Sequence, residues 1–170
     1  MKKFLIIFVI LLVICNVSYA EKISATFFVN GEIYDQFERD FEIVTLKKFS
    51  ETTCRLRIKN NLNTKFRPRI KLRFGDNFGN KFEEMKNLSD IESGESLNFD
   101  IEMKNFSVRK SKNTSAGLQI WMDGYKIISE VGGETFFEKI SYDDRNIFDE
   151  NYFCVRFNFE IADDELKIED

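Results

Sequence analysis

The chain contains no histidine. Its unperturbed pKa makes histidine the usual side chain for proton transfer near neutrality, so this absence excludes every triad with a His base and every zinc or haem site with a His ligand. Cysteine is scarce: Cys15, Cys54 and Cys154. That is too few for a four-cysteine zinc site or an iron–sulfur cluster. There is no GxxxxGK[ST] phosphate loop, and only one proline, Pro68. A binding role with no cofactor and no metal is therefore expected, and an enzyme would have to work with carboxylates, Lys or Ser.

The chain opens with Lys2 and Lys3, then an apolar run from Phe4 to Ile14, then Ser18-Tyr19-Ala20 before Glu21. This layout predicts a signal peptide over residues 1–20, cleaved at Ala20-Glu21. The apolar run is half the ~20 residues a spanning helix needs. Ile14 stands where a lipoprotein signal would place a small residue before Cys15. Export predicts a periplasmic or secreted protein with no transmembrane segment in the mature chain. Removing 20 residues with two lysines leaves 150 residues, 23 basic and 29 acidic. Such an acidic chain is not expected to bind nucleic acid. Its length fits one domain over 21–162, with an acidic tail at 163–170.

What is present is strand pattern. Thr26–Val29 and Ile33-Tyr34 flank Asn30-Gly31, a two-residue hairpin signal. Residues 41–47 favour a strand through their β-branched content. Cys54, Leu56 and Ile58 alternate with Arg55, Arg57 and Lys59; Phe66, Pro68, Ile70, Leu72 and Phe74 alternate with Arg67, Arg69, Lys71 and Arg73. Residues 80–92 are polar and hold a short strand or a helical turn. Leu97, Phe99, Ile101 and Met103 continue the two-residue period. Leu118–Met122 predicts a strand, Asp123-Gly124 a hairpin turn into Tyr125–Val131, and Gly132-Gly133 a second turn into Phe136–Ile140. Phe153–Ile161 is the last strand. Seven to nine short strands at regular spacing predict an all-β, antiparallel, immunoglobulin-like β-sandwich.

Residues 54–103 resemble the immunoglobulin-like modules of bacterial envelope proteins, in the family named for a Phe-x-Leu-Tyr-Asp motif. The resemblance rests on Arg57-Ile58-Lys59-Asn60-Asn61, Leu72-Arg73-Phe74-Gly75-Asp76-Asn77-Phe78-Gly79 and Gly94-Glu95-Ser96-Leu97-Asn98-Phe99. Leu72, Phe74 and Gly75 stand at the motif's Phe, Leu and Tyr. It implies an extracytoplasmic sandwich and carries no catalytic residue to transfer.

Export and an even count in the mature chain predict a Cys54–Cys154 disulfide. The alternation sets Cys54 with Leu56 and Ile58 but Cys154 with Tyr152, Arg156 and Asn158, so the bond requires a strand end or a bulge. Arg55, Arg57, Lys59, Arg67, Arg69, Lys71 and Arg73 form a basic stripe. It is either a face for an anionic partner (a glycan, a lipid headgroup or an acidic protein) or a set of cross-strand pairs with Asp100 and Glu102. Trp121 falls out of phase with Leu118, Ile120 and Met122, so it is either an exposed contact for a partner or glycan, or core in a strand buried on both faces. Asp143-Asp144, Asp149-Glu150 and Asp163-Asp164-Glu165 lack EF-hand spacing and read as solvated charge. The functional expectation is a non-catalytic binding or structural module of the cell envelope, or a secreted one. The alternatives are an inhibitor or accessory subunit acting by edge-strand pairing, and a carboxylate-based glycan hydrolase.

Overall fold

The computed structural model describes residues 22–34, 43–46, 52–102 and 115–159, and every regular element among them is a strand. β1 (Ile23–Val29) turns through Asn30 and Gly31 into the short β2 (Glu32–Ile33). Both turn residues have positive φ, 51° and 85°, the backbone that Asn-Gly favours. β3 spans Ile43–Leu46, β4 Cys54–Asn60 and β5 Phe66–Asp76. The polar segment after β5 forms β6 (Lys81–Asn87), and β7 follows at Ser96–Ile101. β8 is long, Ser115–Val131; β9 is Glu134–Ile140 and β10 is Tyr152–Phe159. These ten strands exceed the seven to nine expected, and the polar segment 80–92 proves to hold a strand, β6.

The strands form two sheets, ordered β2-β1-β4-β7 and β3-β10-β8-β5-β6, with β9 beside the far end of β8. Every pairing is antiparallel except β3 with β10, which is parallel. The inward residues of both sheets meet in one core: Ile23, Phe27, Leu56 and Ile58 from the smaller sheet, and Phe66, Ile70, Leu72, Phe74, Leu118, Ile120, Val155 and Phe157 from the larger. The molecule is thus a two-sheet sandwich, and alternation along each strand sets which residues face out.

Asn60 holds the crossover from the smaller sheet to the larger. It is fully buried. Its Nδ2 donates to the Thr64 and Ile91 carbonyls at 2.8 and 2.9 Å, and its Oδ1 accepts from the Leu62 N–H at 3.0 Å. Ser93 Oγ donates to the Leu62 carbonyl at 2.6 Å, tying the return connection to the same point.

The hairpin turn expected at Asp123-Gly124 does not exist. β8 runs straight through it, and Gly124 lies outside the left-handed region. The glycine serves a close approach: a Cβ there would stand 2.3 Å from the Arg67 carbonyl oxygen and 2.8 Å from the Phe66 ring. The true reversal is at Gly132 and Gly133, with φ of 63° and 85°. A bulge between Ile127 and Ser129 precedes it, and Ile128, Val131 and Phe136 are exposed near the hairpin tip.

Candidate functional site

The basic stripe is divided between the two outer faces of the sandwich. Arg55, Arg57 and Lys59 project from β4 on the smaller sheet; Arg67, Arg69, Lys71 and Arg73 project from β5 on the larger. The seven cations expected to share one face therefore lie on opposite sides of the core, because the chain changes sheets after Asn60.

Most of these cations are partnered. Arg55 stands opposite Asp100 across β4 and β7 and donates to both carboxylate oxygens, at 2.5 and 3.2 Å. Arg67 grips Asp90 at 2.5 and 2.9 Å, and Arg69 grips Asp123 at 2.7 and 2.5 Å. Lys71 and Arg73 share Glu83, at 2.7 and 3.3 Å. Donation from Arg55 holds the Asp100 carboxyl below its ordinary pKa; Arg67 does the same for Asp90, and Lys71 chiefly for Glu83. Arg57 and Lys59 form no ion pair among the described residues. The sequence pointed to pairing with Asp100; Asp90, Asp123 and Glu83 emerge only from strand register and loop closure.

Aromatic side chains cluster on the outer face of the larger sheet. Register sets Tyr125 opposite Arg67, Asp123 opposite Arg69, Trp121 opposite Lys71 and Gln119 opposite Arg73. On the other flank of β8, Tyr152 lies opposite Trp121, with ring centroids 5.3 Å apart. The rings of Tyr125 and Phe137 are 5.9 Å apart. Three of the four cations in this row sit near a ring: Arg67 5.2 Å from Phe137, Arg69 5.9 Å from Tyr125 and Lys71 5.8 Å from Trp121. Gln119 Nε2 donates to Tyr152 Oη at 3.2 Å. Burial, and secondarily Cys154, pushes the Tyr152 phenol above its ordinary pKa.

At the centre of this face a hollow of about 200 Å³ is lined by Arg69, Lys71, Met85, Trp121, Asp123 and Tyr142. Trp121 is half-buried in its lining; Met85 and Tyr142 are 56% and 51% exposed. Trp121 is thus on an outer face and not in the core. Met85, Tyr125, Phe137, Tyr142 and Tyr152 were not singled out from the sequence. Their signal is an aromatic or long apolar side chain at wet positions or in a loop, and it gains meaning only once five separate segments are placed side by side.

A larger hollow, about 650 Å³, lies against β4 and β7 and is lined by Thr52, Thr53, Arg55, Arg57, Asn98, Asp100 and Glu102, among others. Thr52 and Glu102 adjoin segments outside the described residues.

The expected Cys54–Cys154 bond is not formed: no disulfide joins the two residues. Cys54 is buried in the core from the smaller sheet, and burial pushes its pKa up to about 12. Cys154 sits on the larger sheet opposite Gln119, on the same outer face as Tyr152. One points in and the other out, on different sheets. Among the described residues, no group of three or more Cys, Asp or Glu side chains is placed to hold a metal ion. Asp149 pairs with Lys22 at 3.6 Å, and Asp144 caps its own turn by accepting from the Asn146 N–H at 3.2 Å. Residues 163–165 and Met103 lie outside the described residues.

No family model and no curated protein matches the chain. Among solved structures, a solution structure described as a late embryogenesis abundant (LEA) protein is similar to it at 11% identity and a TM-score of 0.35, covering 84% of this chain and 74% of that one. A likeness at that level carries no argument about fold or function.

Proposed function

We propose that this is an exported, non-catalytic recognition module of immunoglobulin-like type, released into the periplasm or beyond after cleavage at Ala20-Glu21, and that it binds its partner through the outer face of the larger sheet. The observation that carries this reading is the cluster of Trp121, Tyr125, Phe137 and Tyr152 on that face, set among residues whose charges are already matched. Half-exposed aromatics are common anchors of recognition surfaces, because they bury much area at low conformational cost. The signal-peptide layout and the resemblance of residues 54–103 to envelope modules support the location and the class.

The alternatives draw less support. The edge strand β6 pairs only with β5 among the described residues, but it carries Lys81, Glu83, Glu84 and Lys86, and such charges blunt edge pairing. A carboxylate hydrolase needs two carboxyl groups free to act on one bond. Asp90, Asp100 and Asp123 are each held by a bidentate arginine.

The test is binding of the purified protein to three probes: peptidoglycan, phosphatidylglycerol vesicles and solubilised envelope protein. Capture by at least one is expected, reduced about tenfold or more in Tyr125→Ala/Phe137→Ala and kept in Arg57→Ala/Lys59→Ala. Capture by none, or loss only in the opposite-face variant, overturns the reading.

A further inference from the structure

We propose that the hollow lined by Trp121 is a saccharide site, built for one neutral pyranose ring of a glycan. This rests on the reading of the larger sheet's outer face as the binding surface, and names the chemistry that face recognises.

The argument starts from charge. Two cations and a carboxylate line the hollow, and each cation is already matched: Arg69 by Asp123, and Lys71 by Glu83 at 2.7 Å. An anion would have to compete with both short pairs. A hydroxyl group need not. It donates and accepts at once, so it can bridge an Arg69 N–H and an Asp123 oxygen without displacing either. A guanidinium has five N–H donors, and Asp123 takes two of them; a carboxylate offers about four acceptor positions, and Arg69 uses two. Lys71 keeps further N–H donors beyond the one facing Glu83. The unspent capacity is a fixed mixture of donors and acceptors within one small hollow. That mixture suits vicinal hydroxyls better than a carboxylate, which only accepts when ionised, or a phosphate, most of whose oxygens only accept.

The apolar half of the site fits the same ligand. A pyranose presents hydroxyls around its rim and C–H groups on its faces. The negative face of an aromatic ring attracts such C–H groups. Trp121 supplies that ring beside the Arg69–Asp123 pair, and Met85 and Tyr142 supply apolar walls. A volume of about 200 Å³ lies below the ~300–1,000 Å³ of sites for drug-sized ligands and suits a single ring. A longer glycan would continue along the row towards Tyr125 and Phe137, whose rings are in contact.

Trp121 is the sole tryptophan of the chain, so its emission reports on the site directly. The purified protein is titrated with glucose, galactose, mannose, N-acetylglucosamine and their disaccharides, and in parallel with glucuronate and inorganic phosphate. At least one neutral saccharide is expected to shift the emission saturably. Its affinity should change less than about twofold at ~0.5 M salt, because no net charge is neutralised. Tyr142→Ala should weaken it about tenfold with the thermal midpoint unchanged. Asp123→Asn should weaken it as well, while Arg57→Ala leaves it intact. No saturable shift with any neutral saccharide overturns the inference, as does glucuronate or phosphate binding about tenfold tighter than every neutral sugar. If the sugars fail but vesicles or envelope protein are still captured through Tyr125 and Phe137, the saccharide inference falls and the recognition face stands. If all probes fail, both fall.

Discussion

The two outer faces of the sandwich begin from the same sequence device and end as different surfaces. On the smaller sheet, Arg55, Arg57 and Lys59 lie between Ser24, Thr26 and Phe28 of β1 and Ser96, Asn98 and Asp100 of β7. One cation finds a carboxylate, the neighbours other than Phe28 are polar, and the face reads as ordinary solvated β-surface. On the larger sheet, Arg67, Arg69, Lys71 and Arg73 lie against Tyr125, Asp123, Trp121 and Gln119. There every cation is matched by a carboxylate and three of them also lie near rings. An alternating run of cations therefore says little by itself. The strand that lies beside it decides whether the run is a field of charge or a neutral lattice with aromatic floors.

The joint between the two faces is the place where that contrast breaks most severely. Asn60→Ala removes a hydrogen bond from the Leu62 N–H and from the Thr64 and Ile91 carbonyls, of which the Ile91 carbonyl keeps the Phe66 N–H at 3.0 Å. At ~1–3 kcal/mol for each buried group left unpaired, urea unfolding should show a loss of about 3–5 kcal/mol. A loss below about 1 kcal/mol would mean that the crossover is held by something else.

Glycines within β8 give a smaller and sharper contrast. Gly124→Ala places a methyl group against the Arg67 carbonyl and the Phe66 ring and should destabilise by ~1–3 kcal/mol. Gly117→Ala, in the same strand, meets only the Val155 carbonyl oxygen at 3.8 Å and should stay within about 0.5 kcal/mol. Equal effects at the two sites would show that close approach is not what Gly124 provides.

The smallest expected effect compares the faces directly. Asp100→Asn breaks an exposed pair on the smaller sheet and should cost no more than about 1 kcal/mol. Asp123→Asn breaks a half-buried pair on the larger sheet and should cost more, ~1–2 kcal/mol. Acid titration gives a related readout. Asp90, Asp100 and Glu83 have folded pKa values depressed below their ordinary 3.8, 3.8 and 4.5. Their contribution is therefore present above pH ~4–5 and is lost as the pH falls through the lower folded values. Thermal midpoints measured from neutral to strongly acid pH should fall only below that range. In Asp100→Asn the fall should be shallower by the share that Asp100 holds.

Much of the fold could be read before any coordinates. The Asn30-Gly31 hairpin, the strands near 54, 66, 97 and 153 and the Gly132-Gly133 turn follow from period-two alternation and from backbone that only certain residues adopt readily. Asp123-Gly124 misled because the same dipeptide serves two purposes. Here the aspartate reaches across to Arg69 and the glycine makes room for Phe66, and neither partner lies within 50 residues along the chain. Asn60 looked like one of several turn asparagines, because nothing local shows that a side chain is buried with three partners.

The sequence by itself determined which residues of each strand are wet and which are dry, since alternation is a property of one strand and needs no neighbour. It also determined the absence of histidine chemistry and the odd phase of Trp121. Only the tertiary structure decided that Cys54 and Cys154 lie on different sheets, that the basic stripe is cut in two, and that Trp121 shares a hollow with Arg69, Asp123, Met85 and Tyr142. Those are relations between strands, fixed by register and by the crossover at Asn60, and no single strand encodes them.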